Sequence, residues 1–179
     1  MQVRRVVTGI DAAGRSCVVS DGNAPRAASY QSVPGFESAL LWSTPPELSV
    51  GPSAPRDDSP QATFVPGPGE TRLMFVTFPS DSTMMRADFD PIAFGAEFTR
   101  LAPGLAESFE IDHPGMHTTD SVDYDVVLEG EIVLELDDGR EVVLRPHDVV
   151  IQNGTRHAWR NRSDKPAKML FVLVGAQRR

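Results

Sequence analysis

After Gly104 the chain is almost wholly short apolar runs broken by turn residues, and that rhythm constrains the fold more than any other feature. The runs are Ala106 to Ile111, Tyr124 to Leu128, Glu131 to Leu136, Glu141 to Leu144, Asp148 to Ile151, Arg156 to Arg160 and Lys168 to Val174. Segments this short match strands better than helices, and their regular spacing predicts a sandwich or barrel. In Glu131-Ile132-Val133-Leu134-Glu135-Leu136-Asp137 charged and apolar residues alternate except at Val133, as in a strand with one wet face. Asp138-Gly139 then supplies a type I′ hairpin turn, whose two central residues both need positive φ, before Glu141-Val142-Val143-Leu144.

Upstream the signals are sparser. Val3 to Thr8 and Ser16 to Ser20 are β-branched runs flanking a Gly- and Asp-containing connection, which predicts an N-terminal β-hairpin. From Asp21 to about Gly69 the chain is rich in Pro, Ser, Gly and Ala, and only Ala39-Leu40-Leu41-Trp42 reads as a strand. Val50 to Asp58 has no large apolar residue after Val50, so it is expected to be mobile or draped on the surface. Thr71 to Phe78 resumes the β pattern and Pro79 ends it. Asp90 to Leu101 is the best helix candidate, with Asp90 as N-cap, Pro91 at the first helical position and Pro103-Gly104 as the stop. The expected class is all-β with one short helix. Residues 1–70 are expected to form the hairpin and a Pro/Ser/Gly-rich extension packed on the barrel, and residues 71–179 the barrel domain.

A length of 179 residues suits one domain with a sizeable core. The net charge of −8 disfavours nucleic acid and anionic lipid as partners. Arg4, Arg5, Arg178 and Arg179 read as solvated chain ends with no role. The single cysteine, Cys17, reads as a small core residue. No secretory h-region and no apolar stretch long enough to span a bilayer is seen, so a cytoplasmic location is expected. Walker A, Gly-x-Gly-x-x-Gly, Gly-x-Ser-x-Gly and His-Glu-x-x-His sequences are absent, which leaves phosphoryl transfer, dinucleotide chemistry and serine hydrolysis without their usual parts.

The informative stretches are His117-Thr118-Thr119-Asp120-Ser121-Val122-Asp123, running on to Gly130, and Gly154-Thr155-Arg156-His157-Ala158-Trp159-Arg160-Asn161. Together they resemble the two motifs of the cupin superfamily over roughly Leu73 to Ala176. The first motif has a His-x-His pair, an acidic residue three or four positions on and a Gly six further. The second ends in Gly, His and Asn at the spacing of Gly154, His157 and Asn161. The resemblance implies a jelly-roll β-barrel of the RmlC-like kind, with His117, Asp123 and His157 as ligands of a divalent metal (Fe, Mn, Ni or Zn). Thr119 stands where the family commonly has its second histidine, and Asp123 where it has Glu. His147 and Gln152 replace the Gly of a Pro-Gly-Asp turn and a Pro.

The residues support a pocket without the resemblance. Alternation sends Asp123, Asp125 and Val127 to one face of their strand, while His157 and Trp159 share a face of theirs. Polar side chains pointing into an apolar lumen need partners, which an ion, a polar ligand or a direct hydrogen bond between His157 and Asp123 would supply. Two imidazoles and a carboxylate suit a three-ligand metal site with open positions. Thr119, Trp159, Met169 and Phe171 are the candidate ligand-pocket residues. His113 and His147 are expected at the surface, Asp120 and Asp125 in solvent or turns, and Arg156 and Arg160 facing outward. The expected function is a metal-dependent enzyme (a decarboxylase, isomerase, dehydratase or dioxygenase) acting on a small, partly apolar carbonyl or carboxylate compound. The alternative is a metal-free binding or sensing module. The apolar hairpin and Trp42 strand need cover, which predicts a homodimer or an extended sheet.

Overall fold

The computed structural model describes residues 2–52 and 57–179. Strands β1 (Arg4–Ile10) and β2 (Ser16–Asn23) form a separate two-stranded sheet. Strands β3 (Arg26–Ser29), β4 (Glu37–Thr44), β5 (Thr71–Phe78), β6 (Ser121–Glu129), β9 (Val149–Asn153) and β11 (Ala167–Gly175) build a six-stranded sheet in the order β3-β4-β5-β11-β6-β9. Strands β7 (Ile132–Glu135), β8 (Glu141–Leu144) and β10 (Ala158–Arg160) make a three-stranded sheet in the order β10-β7-β8. Neighbouring strands in both sheets run antiparallel, and the core between the sheets is one apolar cluster that includes Leu40, Met74, Val127, Ile132, Met169 and Leu173. This is the jelly-roll class expected from the sequence.

Alternation decides which side chains enter that core. Along β11, Ala167, Met169, Phe171 and Leu173 are buried while the residues between them are half-exposed. Along β6, Ser121, Asp123, Asp125 and Val127 point inward, so this strand lines the interior with hydroxyl, two carboxyls and then an aliphatic side chain. The β7–β8 hairpin turns through Asp138 (φ 57°) and Gly139 (φ 67°), and the Arg140 N–H closes it on the Asp137 carbonyl at 3.2 Å. Those are the two left-handed residues that the Asp-Gly pair predicts.

Helix α1 (Pro91–Leu101) has the expected cap: Asp90 Oδ1 accepts from the N–H groups of Ile92 (2.9 Å) and Ala93 (3.1 Å). Its Phe94 and Phe98 join Tyr30 and Phe36 in an aromatic cluster with centroids about 5 to 6 Å apart. Glu97 fixes the loop beneath by accepting from the N–H groups of Gln31 (2.9 Å) and Ser32 (2.8 Å).

Several expectations are corrected. The barrel sheet does not begin at Thr71: β3 and β4 belong to it, and β4 pairs with β5 from Glu37↔Thr77 to Thr44↔Thr71. The Trp42 strand is thus part of an extended sheet, whereas among the described residues the strands of the hairpin pair only with each other. Arg5 anchors the hairpin by donating to the Leu41 carbonyl (2.9 Å), pairing with Asp57 (2.7 Å) and lying 5.3 Å from the Trp42 ring centroid. Of the stretch Val50 to Asp58, residues 53–56 lie outside the described residues.

Ala106 to Ile111 is not a strand. Ser108 Oγ bonds the Leu105 carbonyl at 2.7 Å and Glu107 accepts the Gly104 N–H at 2.8 Å, local bonds that hold a 3-10 turn at Ala106–Ser108. Only Phe109 bridges onward, to His117. Among the described residues no helix is long and apolar enough to cross a membrane.

Candidate functional site

The two motif stretches meet backbone to backbone. His117 and His157 form an isolated antiparallel bridge, the His117 N–H donating to the His157 carbonyl at 2.9 Å and the His157 N–H returning to the His117 carbonyl at 3.0 Å. Their rings lie 4.2 Å apart, between Phe109 stacked on His117 at 4.5 Å and Trp159 edge-on to His157 at 5.7 Å. Phe171 continues the row 5.7 Å from Trp159.

Each imidazole is held in one tautomer. His117 Nδ1 is 3.1 Å from the Gly115 carbonyl and His157 Nδ1 is 2.9 Å from the Thr155 carbonyl. A carbonyl can only accept, so Nδ1 carries the proton and Nε2 keeps its lone pair. Burial, reinforced by the neighbouring His157 ring, pushes the His117 pKa down to about 3, and burial also lowers that of His157. Both rings are therefore neutral acceptors at neutral pH.

The carboxyls on β6 show the opposite shift. Asp123 is 5 % exposed with no partner for Oδ1, and burial raises its pKa to about 6 against the pull of the Ser121 and Thr119 hydroxyls. Asp125 is 1 % exposed with neither oxygen bonded, and burial followed by the charge of Asp123 raises it to about 8. Gln152, directly opposite Asp123 on β9, is also buried; its Oε1 accepts from the Thr155 hydroxyl but its Nε2 has no partner. Buried polar groups normally find partners, so this cluster of orphaned atoms marks the interior as unusual.

His117, Thr119, Asp123, His157, Trp159 and Phe171 line one cavity of about 80 Å³. Its remaining wall is mostly apolar and aromatic, including Tyr30, Phe36, Phe64, Phe78, Phe98 and Phe109, and among the described residues no Lys or Arg lines it. That volume suits two or three waters, at about 30 Å³ each, or a fragment of a few heavy atoms. Thr119 also lines a wider outer cleft of about 580 Å³ together with Val65, Pro66, Ser108 and Arg178. It is thus the residue between the cleft and the lumen. Ser121 Oγ donates to Thr119 Oγ1 at 2.9 Å, which leaves the Thr119 proton free to point at Asp123 or a ligand.

The structure thus gathers six of the residues expected from the sequence, His117, Thr119, Asp123, His157, Trp159 and Phe171, and it makes three corrections. Met169 is fully buried in the core and does not line the cavity. Asp125, expected in solvent, is inside; the alternation Ser121, Asp123, Asp125, Val127 was the signal for it. His157 donates to Thr155, and the Asp123 oxygen that it was to meet has no partner.

Arg178 is no loose end. It pairs with the half-exposed Asp120 at 2.6 Å and bonds the carbonyls of Thr119 (3.1 Å) and Gly154 (3.2 Å), tying both motif stretches to the C-terminal segment. His113 is exposed beside Glu110 (3.1 Å), and His147 is exposed with φ 78°, a conformation that explains why a turn of this kind favours Gly. The aromatic wall from Tyr30, Phe36 and Phe64 was missed, because it comes from the stretch read as loop.

Two Nε2 lone pairs and an orphaned carboxylate oxygen are suitable donor types for a metal, but no three His, Cys, Asp or Glu side chains among the described residues are grouped to hold an ion. The ligand set His117, Asp123 and His157 does not fit a metal as placed, and no step of the chemistry proposed for the site passes through one.

Asn161, the last motif residue, is structural. Its Nδ2 donates to the carbonyls of Phe78 (2.9 Å) and Lys165 (2.7 Å), and its Oδ1 accepts from the Ser163 N–H (3.1 Å) and hydroxyl (2.7 Å). Gly130 is structural as well: its φ is 76°, and a Cβ there would lie 2.5 Å from the Pro166 carbonyl oxygen.

Comparison with known proteins agrees with this picture. Residues 98–173 match the family model of the cupin domain. The chain is 51% identical over 63 residues to phomopsin biosynthesis cluster protein C′ of Diaporthe leptostromiformis, covering 35% of this chain and 33% of that protein. It is 42% identical over 82 residues to the cupin-domain-containing oxidoreductase fogC of Aspergillus ruber, covering 44% of this chain and 37% of that protein. The matches thus span only about a third of the length of these relatives. A solved RmlC-like cupin family protein with a double-stranded β-helix fold from Methanocaldococcus jannaschii aligns with 11% identity and a TM-score of 0.38, over 59% of this chain and 70% of that one. The family-model match over residues 98–173 and the motif residues gathered inside a two-sheet barrel support a protein of the cupin superfamily.

Proposed function

We propose that the lumen is the active site of a small-molecule enzyme that moves a proton on a partly apolar carbonyl compound, with Asp123 as the proton acceptor. The observation that carries this reading is the Asp123 carboxyl itself: inside an aromatic cavity, with one oxygen unbonded and its pKa raised to about 6. A base works best when its pKa lies near the working pH, because it is then ionised and still holds a proton well. His117, at so low a pKa, is a poor base, and both imidazoles serve as lone-pair acceptors that orient a ligand's donors.

In the step envisaged, a C–H bond beside the carbonyl breaks. Its proton passes to Asp123 and its electron pair moves onto the carbonyl oxygen as an enolate. Return of the proton to a different carbon is an isomerisation, and loss of a group from the next carbon is an elimination. The oxidoreductase names of some relatives fit the same start, since an enolate gives up electrons more readily than its parent carbonyl; an oxidation would also need an electron acceptor. A carboxylate substrate is disfavoured, because it would meet Asp123 in a cavity that no Lys or Arg among the described residues lines.

Incubation in D2O with a panel of small ketones and aldehydes, followed by proton NMR, tests this even though the natural substrate is unidentified. The expected result is loss of the α-proton signal of at least one compound above the buffer rate, increasing through about pH 6 and abolished in Asp123→Asn. Exchange at the buffer rate across the panel, or exchange unaltered in Asp123→Asn, refutes the proposal and leaves a binding module.

A further inference from the structure

We infer that the outer cleft binds the larger part of the ligand through a neutral, amide-bearing group, while the ligand's short end enters the lumen past Thr119. This rests on the reading of the lumen as a small-molecule pocket and adds the size and chemistry of what it receives. The lumen, at about 80 Å³, takes only a few heavy atoms, and a fragment of that size makes too few contacts to bind tightly alone. The neighbouring cleft measures about 580 Å³, within the range of sites that hold whole small molecules. Thr119 lines both spaces, so one molecule can occupy them together, and contacts made in the cleft hold its reacting end in place.

The threshold between the two is fixed by hydrogen bonds. Arg178 donates to the carbonyls of Thr119 (3.1 Å) and Gly154 (3.2 Å), and the Thr119 hydroxyl accepts from Ser121 (2.9 Å). The wall that a ligand passes is thus set before the ligand arrives, which lowers the ordering cost of binding.

The lining decides the charge of the bound group. Asp120 and Arg178 are the only charged residues that line the cleft among the described residues, and they pair with each other at 2.6 Å. An anion seated there meets Asp120 beside Arg178, and a cation meets Arg178 beside Asp120, so neither gains a net attraction. A neutral polar group meets no such opposition. The side chains of Thr118 and Gln177 have no hydrogen-bond partner among the described residues, and each both donates and accepts. Ser108 Oγ donates to the Leu105 carbonyl at 2.7 Å and keeps its lone pairs for an incoming N–H. A ligand hydroxyl offers its donor and acceptor from a single atom, whereas an amide presents its N–H and C=O on opposite sides and reaches two partners at once. Val65, Pro66, Pro68 and Ala176 supply an apolar flank for the chain that carries the amide.

Two-dimensional NMR of the full chain tests this, with the Trp159 indole N–H reporting on the lumen and the Gln177 side-chain amide on the cleft. Trp159→Phe and Gln177→Leu assign the two signals. The probe N-(3-oxobutyl)acetamide joins a methyl ketone end to an amide. It is expected to shift both signals along one saturation curve, with a midpoint at least about tenfold below that of butanone, which shifts Trp159 alone. The ketones 2-octanone and 5-oxohexanoate, with as many heavy atoms but ending in an alkyl chain and a carboxylate, are expected to lack most of that gain. Thr118→Val is expected to remove most of the amide ketone's advantage over 2-octanone. An advantage unchanged both there and in Gln177→Leu overturns the inference. Equal midpoints for the amide ketone and butanone, or an unmoved Gln177 signal, overturn it while leaving the lumen reading intact. Either 2-octanone or 5-oxohexanoate binding as tightly as the amide ketone overturns the neutral amide. A Gln177 shift with Trp159 unmoved overturns the shared ligand, and no shift of either signal by any of the four ketones overturns both readings.

Discussion

Replacing Asp125 by valine is expected to stabilise the protein, and to do so increasingly as the pH rises. In the fold the Asp125 pKa is about 8, against an ordinary 3.8. The folded state therefore keeps a proton that the unfolded chain has lost. Its contribution to stability is undiminished below about pH 4, declines through the interval and levels off above about pH 8. Four units at about 1.4 kcal/mol each set an upper bound of about 6 kcal/mol, most of it lost by pH 8, a large share of the 5 to 15 kcal/mol that a domain has. Even protonated, the carboxyl has no partner in a site only 1 % exposed, which costs a further 1 to 3 kcal/mol or so. Valine matches the aliphatic neighbours Val127 and Val150 and suits a strand. Urea denaturation at pH 5, 6.5 and 8 reads the effect. The wild type is expected to weaken steadily over that range. The variant is expected to be more stable by about 1 to 2 kcal/mol at pH 5 and about 3 to 5 kcal/mol at pH 8, with a shallower pH dependence. A variant less stable than the wild type at pH 8, or one with an unchanged pH slope, would show that Asp125 is already compensated and would refute the reading of the lumen as an uncompensated acidic interior.

Two further substitutions test the scaffold. Asn161→Ala removes four side-chain hydrogen bonds from a buried turn and is expected to cost about 3 kcal/mol in chemical denaturation, with a loss under about 1 kcal/mol contradicting its structural role. His147→Gly relieves a left-handed residue that costs about 1 to 2 kcal/mol, less the backbone entropy of glycine; the midpoint of thermal unfolding is expected to rise by a net gain of about 0.5 to 1 kcal/mol, and a fall in that midpoint refutes the strain at φ 78°.

Where the pattern was local, the sequence was a sufficient guide. Thr71–Phe78 is bounded by the β pattern and Pro79, Pro91–Leu101 by Asp90 and Pro91, and the Asp138-Gly139 turn by its need for two positive φ values; the structure has all three. Arg26–Ser29 carries no apolar alternation, and its strand exists because β4 lies beside it. The aromatic wall from Tyr30, Phe36 and Phe64 depends on how the upstream segment folds back onto β5 and α1, a long-range outcome that no short window contains. Asp125 was misplaced for a different reason. Residue type argued for solvent while strand periodicity argued for the interior, and periodicity prevailed because a strand cannot turn one side chain outward without breaking register. His117, Thr119, Asp123, His157, Trp159 and Phe171 could be named from motif and alternation, but their grouping around a cavity without basic residues could not.

A proton acceptor at Asp123 requires that this carboxyl hold its proton far above the usual carboxylate range. Carbon-13 NMR of the aspartate side-chain carboxyls across roughly pH 3 to 9, a window that brackets the ordinary and the raised value, measures this directly, with Asp123→Asn used to assign the resonance. A midpoint near 6 for Asp123 is the expected result, and a midpoint near its ordinary 3.8 would contradict the assignment of that residue as the proton acceptor of the site.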